Sequence, residues 1–210
     1  VSGVRIPAPP PNIVLTVLTY YFSVLTWGRA YMYLRYFNEE QVEILSEALD
    51  IAEDMTSNYY QLSQSQWKRY PYDVKTLSQL FGEDIKDNVF AILKKYAKSE
   101  HREAEPLFKT NEFYLICLQD HQILKALQRD KELKLLSLLA YVLTHELVHI
   151  VRFCKFQERF DVTGINKRSE EEHIVHQTTF EILKELSLPN LSYIVDSYLT
   201  DRANIEICVG

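Results

Sequence analysis

The 210-residue chain predicts a mainly α-helical, single-domain fold with one long buried helix and at most a small β element. Three observations carry that expectation. Apolar residues recur at helical spacing behind a capping signal at Asn38. The stretch 133–156 is apolar around its whole circumference. Only one run, Glu112–Leu118 (EFYLICL), has the short, aromatic and β-branched character of a strand.

In chain order, the first 31 residues stand apart. They lack the charged n-region and small-residue cleavage site of a signal peptide. Val4-Arg5-Ile6 back-translates to GTT-CGA-ATC, like the T-arm of a transfer RNA gene. Ala8-Pro9-Pro10-Pro11 back-translates to GCA-CCT-CCA-CCA, like an acceptor end with an encoded CCA. The expectation is a leader of doubtful nativeness over 1–31, a true start near Met32, a prokaryotic source, and one domain over 32–210. Asn12–Trp27 is apolar and uncharged but short of the roughly 20 residues that span a bilayer. Non-native leader, strand and membrane anchor all stay open for it, with a membrane anchor the least favoured.

Asn38 followed by Gln41 reads as a capping box. Val42, Leu45, Leu49, Ala52, Met55 and Tyr59 then mark the inner face of a helix over about 38–63. Asp73 is expected to cap a second helix through Leu80, stopped by Gly82. A third is expected over Asp84–Ala97, with Ile85, Val89, Ile92 and Leu93 inward. The charged run Lys98–Glu105 reads as a solvated connection, ended by Pro106. After the strand at 112–118, the helix at 133–156 carries His145, Glu146, His149 and Arg152 within an apolar surround. Buried polar and charged groups need partners, and a metal ion is the simplest single compensation. A last helix opens at Ser169-Glu170-Glu171-Glu172, with Val175, Thr179, Ile182, Leu183 and Leu186 on its inner face.

Composition narrows the function classes. A hydrophobic share of 47% with 25% charged residues excludes disorder as the main state. A net charge of −6 disfavours a nucleic-acid partner, whose footprint is a basic face. Cys117, Cys154 and Cys208 are odd in number and form no C-x-x-C pair. This argues against a disulfide scaffold or a thiolate zinc site and for a reducing cytoplasm.

Residues 144–150 read Thr-His-Glu-Leu-Val-His-Ile, an H-E-x-x-H motif. His145 and His149 lie one turn apart on one helix face, where two imidazoles reach a single Zn²⁺ at about 2.0–2.1 Å. Glu146 beside them is placed to take a proton from a zinc-bound water. In this motif the chain resembles the zincin superfamily of zinc metallopeptidases. The metzincin branch calls for Gly at 152 and His at 155, where this chain has Arg152 and Lys155. The gluzincin branch draws its third ligand from a Glu on a later helix. Glu172 with His176 one turn on resembles that branch's E-x-x-x-D pattern, with His in place of the acid.

The resemblance covers 145–176 and rests on three or four residues. It implies a zinc-dependent hydrolase acting on peptides or proteins, with His145, His149 and Glu172 as ligands and Glu146 as general base. Glu171 and His176 are the rival ligands, and His176 is also a candidate to orient a ligating His. Glu172 has a plainer reading as the third residue of a capping box begun by Ser169. His173, His101 and His121 are expected at the surface. Arg152 is expected to pair with Glu172 or to bind a substrate carboxylate. Strand 112–118 is either a peptide-binding edge or a core strand.

Two other classes remain open. Glu146/His149 and Glu170/His173 are both E-x-x-H pairs, as in di-iron carboxylate bundles, with Glu43, Glu47 or Glu53 as further acids. The motif also suits a non-catalytic helical protein with a structural ion.

Overall fold

A computed structural model describes residues 34–67, 71–97, 112–155, 165–199 and 208–209. All but 34 and 35 belong to the unit Tyr36–Gly210. The readings of residues 1–31, of the run 98–105 and of His101 lie outside the described residues. Among the described residues the chain is mainly helical with a small sheet.

Helix α1 (Glu39–Tyr60) starts on the expected capping box. The Gln41 amide donates to the Asn38 side chain at 2.9 Å, and the Asn38 amide donates to Gln41 Oε1 at 3.0 Å. Its buried stripe is Leu45, Ala48, Ala52 and Thr56, rotated from the one expected. Val42 and Tyr59 are exposed. The small side chains of Ala48 and Ala52 let a neighbouring helix approach closely, so the face that packs is not the bulkiest one. A short helix α2 (Gln64–Trp67) follows, and the Trp67 indole N–H donates to Ser57 of α1.

The next two expected helices are instead strands and turns. Strand β1 (Tyr72–Lys75) occupies the place given to a helix capped by Asp73, followed by single 3₁₀ turns at Leu77–Gln79 and Gly82–Asp84. Gly82 does not stop a helix; it supplies the positive φ of 55° that the second turn requires. Strand β2 (Ala91–Ala97) replaces the end of the expected third helix. Val89, Ile92 and Leu93 are buried as expected, the last two within β2 and Val89 just before it. Strand β3 (Glu112–Leu118) lies where the sequence placed it, and Tyr114–Leu118 are buried on both faces.

The sheet order is β1-β3-β2-β4, with β4 (Cys208–Val209) two residues long. β3 pairs parallel with β1 (Val74 opposite Ile116) and antiparallel with β2 (Leu93 opposite Ile116). β2 pairs parallel with β4. β3 is thus an inner strand, and its reading as a peptide-binding edge is corrected: both of its hydrogen-bonding sides are taken.

Helix α3 (Asp120–Arg129), which the sequence reading missed, begins at a polar junction. Gln119 accepts from the Lys86 amide at 2.9 Å and donates to the Asp84 carbonyl at 2.9 Å. Asp120, 1% exposed, accepts from the Leu77 amide at 3.0 Å and the Phe37 amide at 3.1 Å. These two side chains staple the turns after β1, and the entry to α1, onto the end of β3. Burial raises the Asp120 carboxyl above its ordinary value despite those two donors. Asp120→Asn removes the buried charge but leaves one amide facing an NH₂ group, so it should destabilise the fold by about 1–3 kcal/mol in denaturant titration. An unchanged midpoint would show that the staple contributes nothing. His121, expected at the surface, lies on α3 with its side chain 9% exposed and its ring 3.6 Å from Asp87. Cys117 is buried, and burial pushes its thiol up to about 11, so it behaves as a packing residue at neutral pH.

Helix α4 (Leu135–Cys154) is the centre of the fold. Every residue from Ser137 to Val151 is buried, and Phe153 with them. It packs on α1, on β2, and on helices α5 (Ile165–Leu183) and α6 (Leu191–Leu199). α4 is long and apolar enough to cross a membrane by length and composition, yet its circumference is used inside the protein. On α5, Val175, Thr179, Ile182 and Leu183 are buried as expected. The helix begins before Ser169, so Ser169 is not its cap and the capping-box reading of Glu172 falls.

Candidate metal centre

The motif lies in the middle of α4, where the surrounding core removes His145, Glu146 and His149 from solvent entirely. A four-residue stride along this helix places Tyr141, His145, His149 and Phe153 on one stripe. Two of these are locked from the sheet side. The His149 ring stacks on Phe153 (5.8 Å, 19°), and Phe153 stacks on Tyr114 of β3 (6.2 Å, 8°). The inner strand therefore sets the orientation of the second histidine through one intervening ring.

Nε2 of His145 and Nε2 of His149 are 3.1 Å apart. From α5, Glu172 brings Oε2 to 3.4 Å from His145 Nε2 and Oε1 to 3.6 Å from His149 Nε2. Donors at 2.0–2.2 Å from a tetrahedral ion are separated by about 3.3–3.6 Å along each edge. The nitrogen–nitrogen separation is slightly shorter, and the two nitrogen–oxygen separations, to different oxygens of Glu172, fall within that range. Two imidazole nitrogens and a carboxylate converge with few protons to share among them, an arrangement that a common cation satisfies. These residues fit a divalent metal ion, and among the described residues the His/Glu/His group able to hold one is His145, Glu172 and His176.

His176, one turn beyond Glu172, joins the cluster. Ligand atoms of His145, Glu172 and His176 all lie within 4.8 Å of one another. The His176 ring is 4.5 Å from that of His145, and its Nδ1 is 2.6 Å from the Tyr141 hydroxyl. Tyr141 was not singled out in the sequence reading. Its place four residues before His145 was the available signal, masked by its aromatic, core-like character.

Electrostatics agree with a cation site. Burial drives the His145 pKa down to about 3, so its ring is a neutral donor at physiological pH. Burial works against ionisation of Glu172, but the hydrogen-bonding imidazoles of His145 and His149 outweigh it and hold the carboxyl well below its usual range. A depressed histidine pKa contributes stability that is full above the unfolded value near 6.5 and is lost as pH falls toward the folded value. The metal-free protein should therefore lose about 1 kcal/mol from this group between pH 7.5 and 5.5, read as a falling thermal midpoint. A midpoint that rises over that interval would mean that the ring is charged in the fold.

Other expected residues are placed differently. Glu171, the rival ligand, forms an ion pair with Arg152, which corrects the expectation that Arg152 pairs with Glu172. The two acids are adjacent on α5, and Arg152 of α4 takes the first of them while the second turns to the two histidines. His173 is exposed, as expected. Glu170 is exposed with it, and so are Glu43 and Glu47, while Glu53 accepts from the Tyr72 hydroxyl. The di-iron arrangement is thereby corrected: its second E-x-x-H pair faces away from the first, because α5 turns its Glu172–His176 stripe toward α4.

No protein-family model, curated protein or solved structure matches the chain.

Proposed function

We propose that the protein is a zinc-dependent hydrolase whose substrate is a peptide or protein amide. The single observation that carries this is the convergence of His145, His149 and Glu172 at 3.1, 3.4 and 3.6 Å, with Glu146 next to the first ligand on the same buried helix. In this reading His145, His149 and Glu172 hold the ion. Zinc at this place supplies Lewis acidity, polarising an amide carbonyl and making a water molecule easier to deprotonate. Glu146 accepts the proton of the attacking water and returns it to the leaving amine. Arg152, tied to Glu171 beside the ligands, fixes the start of the α5 stripe rather than acting on substrate.

Zinc is favoured over other ions by the donor set: imidazole and carboxylate at tetrahedral spacing on rigid helices. The working location that goes with this reading is the cytoplasm. Elemental analysis of the protein purified without added metal tests it, together with hydrolysis of a quenched fluorescent peptide library. About one zinc per chain with chelator-sensitive cleavage is the expected result. No bound transition metal after refolding with excess zinc would overturn it.

A second reading, a helical protein that uses the ion only structurally, is favoured by the fourth donor, His176, within the same cluster. It predicts bound zinc with no cleavage of any peptide.

A further inference from the structure

We infer that His176 is a fourth protein ligand and that Tyr141 is its positioning residue, so the ion rests among three imidazoles and one carboxylate. This depends on the proposed zinc site.

The helix geometry is reciprocal. α4 offers His145 and His149 four residues apart, and α5 offers Glu172 and His176 four residues apart. Each pair lies along one face of its helix, and the two faces meet. His176 is no bystander on that face, because a ligand atom of it lies within 4.8 Å of those of His145 and Glu172.

The outer contact is the kind that ligating histidines carry. A metal-bound imidazole donates its other N–H to an oxygen, which fixes the tautomer and the ring plane. Here His176 Nδ1 lies 2.6 Å from the Tyr141 hydroxyl; with Nε2 on the ion, Nδ1–H would donate to that oxygen. Tyr141 is completely buried and its ring stacks on that of His176 (6.2 Å, 17°), so the acceptor is held in place from both directions. The resting centre then has no vacant corner in a tetrahedral shell. Turnover requires a fifth position or the withdrawal of His176 onto Tyr141 alone.

Cobalt(II)-loaded protein gives a readout independent of turnover, and zinc affinity by competition with a chromogenic chelator gives a second. Azide should leave the visible bands of the wild-type cobalt protein unmoved and should shift those of His176→Ala. Zinc affinity should fall about 100-fold or more in His176→Ala and about 10-fold in Tyr141→Phe, which removes a single oxygen and keeps the packing. Azide moving the wild-type bands, or zinc affinity within threefold of wild type in either variant, overturns the inference. Should His176→Ala not fold, the wild-type azide result and Tyr141→Phe decide alone. The site itself is tested by His149→Ala. If that variant binds zinc as tightly as wild type, the proposed centre fails together with the inference. If it loses zinc while His176→Ala does not, only the inference fails.

Discussion

Glu146→Gln keeps its zinc and its thermal transition and loses peptide hydrolysis by a factor of about 10²–10⁴. The size follows from what the substitution changes. Gln has the shape of Glu, so the buried slot on α4 stays filled and no cavity opens. An amide cannot accept a proton from water, so the base is removed and the scaffold kept. The comparison needs three measurements on one preparation: metal per chain, thermal midpoint, and initial rates on a cleaved peptide. Retained turnover would remove Glu146 from the chemistry. Lost zinc would make it a ligand instead of a base.

Glu172→Gln should weaken zinc binding by more than about 100-fold, beyond what the loss of a ligand's supporting partner usually costs. Glu172 is the charged donor among the three closest groups, and its carboxylate meets both histidines at once. Its ionised form is favoured in the fold, so the anion is ready to meet a cation without first giving up a proton. Glu171→Gln is the matched control. That side chain is one residue away and also a carboxylate, but it is paired with Arg152, so its removal should change zinc affinity less than tenfold. If the two variants weaken binding equally, the contribution is general negative charge and not coordination.

The part of this architecture that the sequence revealed is the part where local pattern and tertiary need coincide. The central helix is apolar on all sides and is buried on all sides. The stride of four between His145 and His149 survives in the fold because nothing interrupts that helix. Glu172 was legible for the same reason, since the stripe it shares with Val175, Thr179 and Ile182 had to face inward. The losses came where one pattern serves two structures. Val89, Ile92 and Leu93 fit a helical face as well as a buried strand, and pairing with β3, a neighbour distant in sequence, decided between them. Asp73 resembles a helix cap, and its own Oδ1 does accept from the next amide, but at the start of a strand. The inner face of α1 was read in part: Leu45 and Ala52 are buried and Leu49 and Met55 pack against the core as expected, whereas Val42 and Tyr59 are exposed and the small Ala48 was passed over. Helix α3 escaped notice because Gln119 and Asp120 look like loop residues until their backbone partners at 37, 77, 84 and 86 come into view.

His145 and His149 have no solvent-accessible surface, while the Glu172 side chain keeps 23% of its own. An ion gripped this way has one open flank, on the α5 side. If the proposed ion is held there, its release should be limited by how often α5 lifts from α4 rather than by the intrinsic lability of the coordinate bonds. Chelators will strip such a protein at a rate that saturates with chelator concentration and rises with mild denaturant. Loading will be fastest while the chain is still folding, before the fifth helix closes over the pair of imidazoles.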